Sequence, residues 1–213
     1  MKDNATTNVA LADEFSDADA DYFGLEMQFP WSRHLLEGRK TMEVRTYPLP
    51  LGLRGRKIYI LESPQGKDGV TGLGDRIELQ PRGNGNDNYN NDESPSLPSI
   101  VGWCIFDVQH KEYLTEESFS ADEDQHLVSA ASGYAWKEGR TSTLYGWVVQ
   151  EHRSFIFANN TNTTAEATTI NTKKSGNKAE ESDGTSDFVL AVRRKRSLFQ
   201  LYRNAHYDDP KEE

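Results

Sequence analysis

The sequence predicts a mixed α+β fold: a small, strongly curved β-sheet or barrel with flanking short helices, and with disordered tails and insertions outside it. Three observations point there. Stretches of strand character are short and numerous, while helical periodicity appears only briefly. Apolar residues make up 35% of the 213-residue chain, which is low for a compact globule, so part of the chain should lie outside any core. Four Trp, nine Tyr and nine Phe are nevertheless enough to fill one core.

Taken in order, residues 1–22 hold six acids and Lys2 among small polar residues, the composition of a disordered acidic tail. Periodic structure begins near Leu25. Pro30 suits the first turn of a helix and Gly38 its end, with Trp31, Leu35 and Leu36 able to share a face. Residues 41–46 have strand character, so Met42 and Val44 point one way and Thr41, Glu43 and Arg45 the other. The Tyr47-Pro48-Leu49-Pro50 stretch ends that strand. Gly52 and Gly55 lead through a turn into a second strand at 57–62.

Residues 63–99 are dominated by Gly, Asn, Asp, Pro and Ser. They read as a flexible insertion, most clearly at about 81–98, with one short element at 73–79. Residues 100–108 are apolar on both faces and predict a central strand. Thr115 and Asp122 each look like a helix N-cap followed by acids, and Gly133 ends a helix containing His126, Leu127 and Val128. Residues 144–150 predict a strand, and 154–158 one more. Residues 159–187 are Asn/Thr/Ser-rich and read as a second disordered insertion. Two late segments, 188–192 and 197–202, can close the core, so 188–203 is a closing segment. Residues 204–213 form a polar tail. The organisation is therefore one domain at 25–157, with additions.

The single cysteine, Cys104, excludes an intramolecular disulfide. In its apolar run it reads as a small buried thiol, in keeping with a reducing compartment. No secretory signal and no stretch of about 18 apolar residues is visible. An intracellular chain, in cytoplasm or nucleus and not in a membrane, is expected. The formal net charge is −10, which argues against nonspecific attraction to nucleic acid. Charge is segregated, however. Residues 31–57 hold seven bases and two acids, 188–203 hold five bases and no acid, and 112–124 hold six acids and no base. A local basic face is thus possible on an acidic protein.

The most informative stretch is Pro30-Trp31-Ser32-Arg33-His34-Leu35-Leu36-Glu37-Gly38-Arg39-Lys40-Thr41-Met42-Glu43-Val44-Arg45. It resembles the signature of the ASCH domain, whose pattern is a Pro-Trp helix start, an apolar pair, then Gly-x-Lys-x-x-Glu-x-Arg. Downstream, Gly55 to Ile60, Val101 to Phe106 and Tyr145 to Trp147 are also similar to the family's strands, in the same order. The resemblance covers roughly residues 25–157. It implies a PUA-like β-barrel with a nucleotide-sized cleft, and binding of RNA or another single-stranded nucleic acid, with Lys40, Glu43 and Arg45 lining the cleft.

The residue chemistry agrees with that placement. Arginine can pair bidentately with phosphate or a base edge, and a carboxylate can accept from an exocyclic amine. Arg39 adds a base beside Lys40. Trp136, in a loop between Gly133 and Gly139, is an aromatic candidate for the cleft mouth, and Trp31 or Tyr47 can stack on a base. Each has a structural alternative. Glu43 and Arg45 can be a solvated same-face ion pair, and Lys40 a surface lysine. Trp31, Trp103 and Trp147 are assigned to the core. The basic tract Arg193-Arg194-Lys195-Arg196 reads as a localisation signal or phosphate-contacting patch, and the alternative, slightly favoured, is a solvated loop between Val192 and Leu198.

Two other function classes stand beside RNA binding. Some small ASCH-like proteins are amidohydrolases acting on N4-acetylcytidine, through a Lys-Thr-x-Thr strand. Here Lys40-Thr41-Met42-Glu43 puts a carboxylate where the nucleophilic Thr would be, so Lys40, Thr41 and Glu43 would carry such chemistry only by a changed mechanism. The third class is an adaptor that binds protein partners through its charged tails. The five histidines are scattered without metal-ligand spacing, and no dinucleotide fingerprint or phosphate loop is found. Neither metal nor cofactor is expected.

Overall fold

In the computed structural model, residues 22–63, 72–79, 98–137, 139, 142–155 and 188–203 are described. The first strand, β1 (Phe23–Gln28), follows from simple alternation. Phe23, Leu25 and Met27 face one core, while Gly24 and Glu26 face the other way. The sequence reading places the first periodic structure near Leu25 and does not predict this strand. Helix α1 (Trp31–Leu36) begins after Pro30. It ends before Gly38, whose φ of 76° suits a residue without a Cβ.

Strand β2 (Met42–Arg45) and a short 3-10 turn (Leu51–Leu53) lead into β3 (Lys57–Ser63). Strand β4 (Arg76–Glu78) is the short element expected within 73–79. Strand β5 (Ser99–Tyr113) runs well past the expected end at 108. Helices α2 (Glu116–Ser120) and α3 (Glu123–His126) follow. Then come β6 (Leu144–Ser154), β7 (Leu190–Lys195) and β8 (Leu198–Tyr202).

The eight strands form one sheet in the order β2-β6-β5-β3-β1-β8-β7-β4. Only the β1–β3 pair is parallel; the other pairings are antiparallel. The ladder does not close on itself: β2 and β4 are its two edges among the described residues. The expected closed barrel is therefore corrected to an open, bent sheet in an α+β fold. The bending has a local cause. Strand β5 slips register against β6 twice, between Ile105 and Phe106 and between Phe106 and His110. Such bulges bend a strand and let one long element serve two parts of a sheet.

Both faces of the sheet centre are covered, which explains the unbroken apolar runs in β3 and β5. Ile58 and Ile60 join a first core with Leu35, Leu36, Phe106 and Trp147. Tyr59 and Leu61 join a second with Trp103, Phe188 and Phe199. Cys104 is fully buried, and burial pushes its thiol pKa well up, so it packs as an inert apolar group. A third, smaller core gathers Met42, Tyr113, Phe119, Val128 and Leu144 under the two short helices. Buried Trp103 and Trp147 are core residues, as expected.

Helix α1 is tied to the sheet by charge as well as by packing. Arg33 makes a bidentate contact with Glu62, at 2.6 and 2.8 Å, and Ser32 donates to the same carboxylate. Glu62 is fully buried and Arg33 nearly so, a pairing in which neither group tolerates loss of the other. Close approach of α1 to the sheet needs Gly102. A Cβ there would lie 2.4 Å from the Arg153 carbonyl oxygen and 2.7 Å from Leu36 Cδ1.

Three further readings are corrected. The helix expected to reach Gly133 stops at His126, because Leu127 takes a left-handed φ of 58° and ends it. Thr115 caps α2, accepting from the Ser118 N–H at 3.2 Å, whereas Asp122 makes no such bond to α3. Ser154 is the last residue of β6 and not the first of a new strand, and 156–158 lie outside the described residues. So do residues 1–21 of the tail expected at 1–22, residues 80–97, which hold nearly all of the insertion expected at about 81–98, and residues 159–187. No helix among the described residues is long and apolar enough to cross a membrane.

Candidate functional site

Strand β2 carries the site because it is an edge strand with its outer side only partly covered. The Thr41 N–H donates to Gln125 O at the end of α3, while Met42 to Arg45 pair with β6. Side-chain alternation then sends Glu43 and Arg45 to one face, as the sequence implies. Lys40 precedes them in the turn after α1, its own N–H held by His34 O at 2.9 Å.

These three side chains meet. Lys40 Nζ lies 3.3 Å from Glu43 Oε2 and donates to His126 O at 2.8 Å. Arg45 Nε lies 2.8 Å from Glu43 Oε1, but its N–H points off that axis, so this is an ion pair without an aligned hydrogen bond. Arg45 Nη2 donates to Glu26 O at 3.0 Å. Lys40 is 2% exposed and Glu43 6% exposed, which rules out the solvated surface pair.

Burial lowers the Lys40 pKa, and Glu43 offsets this only in part. For Arg45 burial also acts downward, but Glu43, Tyr47 and Glu26 outweigh it and the shift is upward. An ammonium has three donors, and among the described residues Lys40 Nζ meets two oxygen partners, His126 O and Glu43.

The triad forms the floor of a cleft of about 520 Å3, within the range of small-molecule sites. One wall is the stretch after β2 together with the β7–β8 turn. There Tyr47 OH and Ser197 Oγ share a 2.6 Å hydrogen bond, and the Arg196 guanidinium sits 4.5 Å over the Tyr47 ring. The loop after α3 contributes Tyr134, whose hydroxyl donates to Gln28 Oε1 at 3.0 Å. Trp31 lines the cleft near Lys40, whose Nζ is 5.7 Å from its ring. Trp31, expected in the core, does both: it packs against the first core while staying partly exposed to the cleft. Lys137 also lines the cleft.

Of the residues singled out from the sequence, Lys40, Glu43 and Arg45 come together in this cleft. Arg39 does not: its side chain is 59% exposed, pairs with Glu37, and is not part of the lining. Trp136 does not either; it packs on the third core, 6.1 Å from Phe119. Its place is taken by Tyr134, two residues earlier in the same loop. The side chain of Thr41 is exposed and outside the lining.

The basic tract is not a solvated loop but the end of β7 and its turn. Arg193 reaches Glu26, Asp75 and the carbonyl oxygen of Leu73. Arg194 donates to Gln200. Arg196 alone of the tract lines the cleft. No group of three or more His, Cys, Asp or Glu side chains that could hold a metal ion occurs among the described residues.

No family model matches the chain, and no curated protein matches it. Similar solved structures exist. The crystal structure of ASCH from Zymomonas mobilis is 14% identical, covers 64% of this chain and 71% of its own, and aligns with a TM-score of 0.40. A single-substitution variant of that protein aligns at 14% identity, 64% and 72% coverage and a TM-score of 0.39. A second variant gives 13%, 63%, 72% and 0.40. These three structures are similar to the chain only at that level of identity and alignment.

Proposed function

We propose that this chain binds RNA by taking a base into the cleft above Lys40, Glu43 and Arg45, and that its bent sheet is an opened form of the PUA-like barrel. The observation that carries the reading is the buried charged triad at the floor of a concave, aromatic-walled cavity. Charged groups in one buried spot are costly to fold, and such perturbed groups cluster at functional sites. Glu43 offers lone pairs to an exocyclic amine, and Lys40 and Arg45 offer donors to a base carbonyl. Tyr134 and Trp31 supply ring faces for stacking.

The test is fluorescence-anisotropy binding of labelled single-stranded RNA and DNA at low and moderate salt, with wild type, Arg45→Gln and Tyr134→Ala. Arg45 and Tyr134 are chosen because both keep some solvent exposure. Circular dichroism establishes that each variant folds. Binding that weakens with salt and drops in both variants is expected. Equal binding by folded Arg45→Gln and wild type would overturn the reading.

One observation favours a second reading. A lysine held below its ordinary pKa in a cleft is a candidate for proton transfer, and Lys40 is such a lysine. Hydrolysis of a modified nucleoside such as N4-acetylcytidine is assayed directly by release of cytidine. Against it, the Thr41 hydroxyl stands outside the cleft.

A further inference from the structure

The cleft separates its charges by depth. At the floor, Lys40 and Arg45 are both committed to Glu43. Glu26, also in the lining, is committed elsewhere: its carboxylate accepts from the N–H groups of Gly72 and Leu73 and from Arg193. At the rim the situation is reversed. Arg196 and Lys137 both line the cleft and are exposed, and neither contacts a carboxylate among the described residues.

Arg196 is moreover held in place. Its guanidinium lies over Tyr47, and Nη1 donates to Thr46 Oγ1 at 3.3 Å. Its φ of 51° is a conformation that glycine adopts more easily, yet an arginine occupies it. A cation fixed in this way loses little freedom on binding an anion.

We propose that the cleft takes a nucleotide in preference to a free nucleoside, with the base against Glu43 and the phosphate held at the rim by Arg196 and Lys137. This rests on the reading of the cleft as a base-binding site and adds a phosphate subsite to it. The floor is unsuited to phosphate. A dianion placed there would face the Glu43 carboxylate and lose its hydration in a buried setting. At the rim it keeps part of its hydration and meets two cations that contact no carboxylate among the described residues, one of them a planar fork suited to phosphate oxygens.

The experiment is titration calorimetry of the full chain with the four ribonucleosides, their 5′- and 3′-monophosphates, inorganic phosphate and a short single-stranded RNA. Wild type is compared with Arg196→Gln and Lys137→Gln. At low salt, monophosphates should bind at least about tenfold more tightly than the matching nucleosides. Either variant should bring the two affinities together. Lys137→Gln removes no contact within the described fold, so it remains informative if Arg196→Gln disturbs the turn.

Equal binding of nucleoside and monophosphate by wild type would overturn the phosphate subsite and leave the base-binding reading standing. A preference for monophosphates that survives both substitutions would also overturn it. Binding of inorganic phosphate with no nucleoside, nucleotide or RNA binding would overturn both. Tighter binding of the RNA than of any monophosphate would identify a nucleotide within a chain as the natural occupant, and a monophosphate binding as tightly as the RNA would identify the free nucleotide.

Discussion

Replacing Glu43 by Gln removes the one carboxylate that both Lys40 and Arg45 rely on, without changing side-chain volume. At 3.3 Å and an effective dielectric of about 20, the attraction between Lys40 and Glu43 is about 5 kcal/mol before desolvation is counted. Loss of one partner from a buried pair costs about 3–5 kcal/mol, because the remaining charge is left uncompensated. Arg45 keeps Glu26 O and some water, so its share is the smaller. Lys40 is the more exposed to the loss in energy terms, being almost fully buried.

Lys40 has an escape that Arg45 lacks: it can deprotonate. Its pKa already lies below 10.5 through burial, and Glu43 is the main influence holding it up. Glu43→Gln should therefore lower it further. Between a depressed folded pKa and the unfolded value, the unfolded chain binds more protons, so stability rises with pH there. The Lys40 share of the deficit is full at low pH. It shrinks as pH rises through the variant's folded pKa and is gone above the wild-type folded value.

Urea unfolding at about pH 7 and at about pH 10 measures this, with the midpoint converted through a common slope. We expect a deficit of about 3–5 kcal/mol near neutrality and a clearly smaller one in alkali. A deficit below about 1 kcal/mol, or one that does not change with pH, would show that the triad is solvated and that Lys40 is not energetically coupled to Glu43.

Two further outcomes follow from the fold. Gly102→Ala should cost about 1–3 kcal/mol or more through overpacking, since its Cβ would press on Arg153 O and Leu36; a melting temperature equal to wild type would contradict the close approach of α1 to β5. Acid should weaken the domain just below pH 6.5. His126 is buried as the neutral ring, with Nε2 donating to Phe119 O and Nδ1 accepting from the Val128 N–H. Burial lowers its pKa and that of His34 below 6.5. The unfolded chain then takes up protons first as pH falls through 6.5, and folded stability declines. A melting temperature that is flat between about pH 7.5 and 5.5 would refute this. Asp122 loses its contribution only at lower pH, because the hydrogen bonds from Lys111 and Tyr113 outweigh its burial and hold its pKa below 3.8.

Much of this protein is set by local sequence. Strand character at 57–62 and 100–108, the Pro30-to-Gly38 helix and the Thr115 cap come from side-chain alternation, backbone preference and short-range hydrogen bonding, which neighbours in sequence settle between themselves. The meeting of Glu43 and Arg45 is also local, because a period of two puts them on one face wherever β2 lies. What the cleft contains beyond them is not local. Arg196 is separated from Tyr47 by most of the chain and reaches it only because β8 pairs with β1. Tyr134 and not Trp136 lines the cleft because Trp136 packs against the third core, with Phe119 at 6.1 Å, residues brought together by the fold. Whether the sheet closes is likewise decided by whether the edge strands β2 and β4 pair, a relation between strands that no single strand encodes. The sequence by itself therefore determined most of the elements, though not β1 or the end of α3, and the core of the triad; the walls, the rim and the openness of the sheet were decided by long-range pairing, where the contacts that fix geometry join residues far apart in the chain.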